Sequence, residues 1–154
     1  MNLERDTTAA LSSELEKLRD DIRELVAPLT EEQFWTRPTE PGNTPANLCL
    51  HLAGNLNHFV GAQLGGTEYK RDREREFTES ERIPKAQVLS RLDEAVATFR
   101  RVVEGLDAAR LRSAHPDKRF GTVLEALFHL VAHFALHRGQ MSYVVRLIGR
   151  GATE

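Results

Sequence analysis

The sequence has one cysteine, Cys49, in 154 residues. A lone thiol cannot close an internal disulfide, so no covalent framework holds the chain and a reducing compartment is expected. Long apolar runs are missing as well. None approaches the roughly 18 residues of a membrane span, and Met1-Asn2-Leu3-Glu4-Arg5-Asp6 has no apolar core of a signal peptide. Charge of one sign is not in excess. A net charge of −2 offers nothing to a polyanion and argues against nucleic acid as a partner. No stretch of any length alternates apolar and polar residues as a strand would. These absences leave a cytoplasmic, all-α protein without a membrane partner. Its length predicts a single domain over residues 1–154, large enough to bury a core without staples.

Four amphipathic segments carry that core. Leu11, Leu15, Leu18, Ile22, Leu25 and Val26 recur at spacings of mostly three and four, which predicts a helix over about Leu3 to Ala27, ended by Pro28. Thr30 and Gln33 form a capping-box pattern for a short turn of helix. Trp35 follows, read as a plug at one end of the core or as a pocket wall. Pro38, Pro41, Gly42, Asn43 and Pro45 make the next stretch a loop.

Thr44 as N-cap and Pro45 at the first helical position open a second helix, predicted to run to about Leu64. Gly65-Gly66 stops it. This helix has no charged residue on any side, and a helix without charge is expected to be buried all round. Besides its apolar stripe it carries a polar one: Asn47, His51, Asn55 and His58. Residues 67 to 83 alternate charges of both signs and read as a solvated turn of helix or a mobile loop. The sharper alternative is a loop over an active site, with Arg71 or Arg73 holding an anionic substrate. Pro84 opens a third helix, about Lys85 to Leu106, and a loop follows in which His115 is expected to be exposed. Between Gly121 and Gly139 there is no Gly or Pro, so a fourth helix is predicted, ending near Gly149.

In that last helix His129, His133 and His137 share one face, each a turn from the next. The outer two are about 12 Å apart. They cannot both reach one ion at a metal–nitrogen distance of about 2.0–2.1 Å. The helix therefore offers His133 with either neighbour, and another segment must complete the set. The second helix offers His51 or His58. Two imidazoles from one helix and one from another would leave a position open for water or substrate, the pattern of a catalytic metal. Imidazole ligation suits Zn, Ni, Fe or Cu without choosing among them. Asn55 or Gln140 could orient an imidazole or a bound water. Cys49 points away from His51 around the helix and reads as a small core residue.

Asn43-Thr44-Pro45-Ala46-Asn47-Leu48-Cys49-Leu50-His51-Leu52-Ala53-Gly54-Asn55-Leu56 resembles the second-helix motif of the DinB-like superfamily. It is most similar to a branch with an asparagine-rich NL-x-x-HL-x-GN signature. His133-Phe134-Ala135-Leu136-His137-Arg138-Gly139-Gln140 resembles that family's other signature, H-x-x-x-H-R/x-G-Q, and the segment from Arg71 to Phe77 also resembles the branch. The resemblance implies a four-helix bundle of up-down-down-up connection, often a homodimer. It implies a divalent metal held by His51, His133 and His137. Zn, Ni or Fe is the expected ion, and Asn47, Asn55, Gln140 and Arg71 are the candidates for outer or substrate contacts. Characterised relatives are S-transferases and isomerases that use low-molecular-weight thiols, so a metal-dependent S-transferase acting on a thiol and an electrophile is the expected function. The alternatives are a non-catalytic, stress-related metal-binding bundle and a metal-dependent hydrolase using the same residues. His129 and His58 match no ligand position, and no catalytic side chain is assigned.

Overall fold

Local sequence signals set most of the helix ends in the computed structural model, which describes residues 2–79 and 82–151. Helix α1 spans Leu3–Val26, with Asn2 accepting from the Arg5 amide. Thr30 and Gln33 form the reciprocal capping box of the short helix α2, Glu31–Phe34. The Thr44 side chain caps α3, Pro45–Leu56, which continues into a π-helical segment, Asn57–Ala62. Helix α4 is Arg73–Thr78, α5 is Lys85–Glu104 and α6 is Ala108–Arg112. Helix α7, Val123–Gly151, starts at a second capping box: Glu125 accepts from the Thr122 amide at 2.7 Å, and the Glu125 amide donates back to the Thr122 hydroxyl. Gly121 precedes it at φ +77°, a left-handed position that suits glycine.

The long helices α1, α3, α5 and α7 form a four-helix bundle in which α1 touches α5 and α7, and α3 touches the same two. Helices α1 and α3 are therefore diagonal. Cross-helix pairs give the directions. Arg19 and Arg23 both reach Asp93 while Glu16 meets Arg100, so α1 and α5 are antiparallel. Gly61 lies against Thr98 and Gly65 against Val102, so α3 and α5 run the same way. His51 meets His133, and Leu48 shares a groove with Val144, so α3 and α7 are antiparallel. The order is up-down-down-up, as the resemblance implies.

Two parallel, adjacent helices cannot be joined by a tight turn. The chain leaving α3 must return along the bundle before α5 begins, and α4 lies on that return, packed against α3. The stretch read as a solvated turn of helix or a loop thus contains a short helix, laid over the most buried helix of the protein. Along α3 only Leu50 is less than fully buried.

The core is a continuous set of side chains from α1, α3, α5 and α7, including Leu15, Ile22, Leu52, Phe99, Leu127 and Phe134. Trp35 packs at its edge against Phe34 and donates its indole N–H to the Ile83 carbonyl at 3.0 Å. Cys49 is fully buried, and burial pushes its thiol up to about 12. Among the described residues no helix is long and apolar enough to cross a membrane.

His115 corrects an expectation: it is 3 % exposed, not a surface residue. The π-helical segment explains why. Gln63 donates to His58 and Leu64 to Val60, so neither amide serves the Phe59 carbonyl between them. His115 fills the gap, its Nε2 lying 3.1 Å from that oxygen while Nδ1 accepts from the Asp117 amide. A buried carbonyl without a donor is costly, and this histidine supplies one.

Candidate metal centre

His51, His133 and His137 come together where α3 faces α7, each offering a nitrogen within 4.8 Å of the others. The Nε2 atoms of His51 and His133 are 3.3 Å apart, and those of His133 and His137 are 3.0 Å apart. A ridge of three histidines on α7 contributes two of them, and packing decides which. His137 faces α3. His129 turns outward to solvent, its ring stacked on His133 at 6.4 Å and against Phe120 at 5.2 Å. His58 lies two turns beyond His51, 3.3 Å from the Gln63 side-chain nitrogen and edge-on to Phe59 at 4.8 Å, outside the three-nitrogen group.

The outer nitrogens identify the proton positions. Nδ1 of His51 is 2.9 Å from a Glu76 carboxylate oxygen. A carboxylate only accepts, so His51 carries its proton on Nδ1 and leaves Nε2 with a lone pair. Nδ1 of His137 is 2.7 Å from the Gln140 side-chain oxygen, with the same consequence. Among the described residues no group takes Nδ1 of His133. Burial first, then the neighbouring His137, His51, His129 and Arg71, lower His133 from 6.5 to about 4. Burial lowers His137 too, against the opposing effect of Gln140. Both rings are therefore neutral at pH 7, the state a metal requires.

Two of the three inward nitrogens cannot donate, so at most one N–H, that of His133, lies among the three. A cation could instead take a lone pair from each ring. In tetrahedral geometry with bonds of about 2.0–2.1 Å, ligand nitrogens sit about 3.3 Å from one another. The two separations that involve His133, 3.3 and 3.0 Å, are close to that spacing, His51 and His137 offer nitrogens within 4.8 Å of each other, and the donor set fits a divalent metal.

Glu76 was not legible in the sequence, where it is one acid in a run of mixed charges. It is 6 % exposed. Burial alone would raise its carboxyl, but hydrogen bonds from His51 and Arg71, with the Arg71 charge, outweigh it and hold Glu76 below the usual range. Arg71 forms a two-point contact with Glu76, Nε at 2.7 Å and Nη2 at 2.9 Å, and lies over the Phe59 ring. Its guanidinium is thus engaged by a carboxylate of the same chain rather than held out for an anion. Arg73 points outward over Phe77. Asn47 holds the return segment, donating its amide to the Glu76 carbonyl at 3.0 Å and accepting from the Thr44 hydroxyl at 2.8 Å. Asn55 is buried on the same side of α3 without a hydrogen bond to any of the three imidazoles.

The family model described as Mycothiol-S-transferase matches residues 10–148. Two solved structures are similar in fold. One, a conserved protein of Enterococcus faecalis, is 18% identical with a TM-score of 0.77, covering 96% of this chain and 98% of that one. The other is YfiT of Bacillus subtilis, described as a probable metal-dependent hydrolase with an unusual four-helix bundle topology. It is 22% identical with a TM-score of 0.72, covering 92% of this chain and 87% of that one. No curated protein matches the chain.

Proposed function

Because the chain belongs to the mycothiol-S-transferase family, we propose that it is a metal-dependent S-transferase joining a low-molecular-weight thiol to an electrophilic carbon. The observation that carries this reading is the convergence of three Nε2 atoms, two of them barred from donating. His51, His133 and His137 would hold the ion. When bound, a divalent metal supplies positive charge at an open position, where it lowers the pKa of an incoming thiol.

The protein's own residues prepare that position. His133 stays neutral because burial opposes its protonation, so a donor is available at pH 7. Glu76 and Gln140 fix two rings so that their lone pairs face inward. Imidazole ligands add no negative charge to oppose the ion's effect on the thiol. In the transfer the thiol gives up its proton to solvent, the sulfur forms the new C–S bond, and the leaving group departs with the electron pair of the broken carbon bond. Cys49 is not the nucleophile: its thiol is enclosed and stays protonated. The same reading carries Zn, Ni or Fe as the ion and proposes a cytoplasmic homodimer.

Elemental analysis of purified protein, with no metal added, is the direct test. One divalent ion per chain is expected in the wild type and none in His133→Ala. Wild-type protein loaded with metal should then consume a thiol in the presence of a chromogenic electrophile. Full metal occupancy in His133→Ala would overturn the assignment. Turnover of an ester or amide without any thiol would favour the hydrolase instead.

A further inference from the structure

Glu76 touches none of the inward nitrogens, yet it is the most elaborately held side chain near them. Three separate devices fix it. Arg71 binds both carboxylate oxygens. Asn47, one turn before His51 on the same helix, pins the backbone carbonyl of Glu76. Gly54, three residues after His51, has no side chain where the carboxylate lies, and a Cβ there would collide with Glu76 Oε1. Asn47, His51 and Gly54 thus lie on one face of α3, and together they form the bed for one acid from the return segment.

We infer that Glu76 is a positioning residue for His51, fixing the ring's tautomer and tilt, and that Arg71, Asn47 and Gly54 serve to hold it there. This rests on the reading that the three histidines bind a metal. Glu76 is not a fourth ligand. Its oxygens are taken by Arg71 and by Nδ1 of His51, on the side of the ring away from the inward nitrogens. The Arg71 nitrogen 3.4 Å from His51 Nδ1 does not compete for the ring, since both groups are donors serving the same oxygen. A carboxylate behind a ligating imidazole strengthens it as a donor and costs about 10–100-fold in metal affinity when lost.

Two measurements test this. In metal-free wild type at pH 8, imidazole nitrogen NMR should show His51 protonated on Nδ1 and bare on Nε2. In Gly54→Ala, which keeps every charge but displaces the carboxylate, that preference should be lost or reversed. Equilibrium competition for Zn²⁺ against a chromogenic chelator should then give about 10–100-fold weaker binding in Gly54→Ala and in Glu76→Gln, still at one ion per chain. His133→Ala serves as the control for the underlying reading. If it binds Zn²⁺ like the wild type, the metal site is wrong, whatever the spectra show. If only His133→Ala weakens binding, or wild-type His51 carries its proton on Nε2, the role of Glu76 is wrong and the metal site stands. Should Glu76→Gln fail to fold, Gly54→Ala and the wild-type spectrum still decide.

Discussion

Gly54 lies directly beneath the carboxylate of Glu76, so a methyl group at that position would take the space of Oε1. The acid cannot move away freely, because Arg71 and Asn47 hold its side chain and its backbone. Overpacking of this kind costs about 1–3 kcal/mol. Gly54→Ala should therefore lower the unfolding free energy of metal-free protein, measured by urea titration, by that amount. An unchanged midpoint would mean that the return segment yields easily and is not fastened as described.

Acid should destabilise the metal-free protein in the range where histidines titrate. His133 has a folded value of about 4, below its ordinary 6.5, and burial is the main cause. As pH falls through 6.5 the unfolded chain takes up a proton that the folded chain refuses. The unfolded state then binds more protons, so stability falls with pH down to about 4. His137, also lowered from 6.5, acts in the same direction over this range, and Glu76 does so only as pH falls below its ordinary 4.5. Unfolding free energies from denaturant titrations at pH 7, 6 and 5 should decline in that order, by at most about 1.4 kcal/mol per pH unit for each of the two histidines. A midpoint that rises on acidification would contradict the neutral, buried state of these rings.

His115 should matter for stability and not for metal. Replacing it with Ala leaves the Phe59 carbonyl without a donor, at a cost of about 1–3 kcal/mol. Thermal unfolding should show that loss while metal content stays at the wild-type level. A variant of wild-type stability would indicate that another donor already serves this oxygen.

Cys49 should be silent toward thiol reagents in the native protein and react once per chain after unfolding in guanidinium. Fast labelling of the folded protein would place the thiol outside the core.

The outward ring of the α7 ridge gives a contrast with His133. His129→Ala should bind metal with wild-type stoichiometry, because His129 is exposed and outside the three-nitrogen group. Loss of the ion in that variant would show that α7 presents a different face to α3.

Helical periodicity repeats every few residues, so everything it governs is readable locally. The stripes of α1 and α5, the capping of α2 and α3, and the stacking of His129, His133 and His137 all follow from neighbours in sequence. So does the burial of α3, since a helix without charge has no face for water. Choosing among the stacked histidines is different. His129 and His137 are equivalent by spacing, and only the packing of α7 on α3 turns one inward and the other to solvent. Glu76 and His115 were beyond local reach for related reasons. The parallel run of α3 and α5 forces a return segment across the His51 face, and that path selects one acid from a run of mixed charges. A π-helical segment leaves one carbonyl without a helical donor, and a histidine more than fifty residues away supplies it. Spacing along the chain sets which side chains share a face; the order and direction of the helices decide which faces meet.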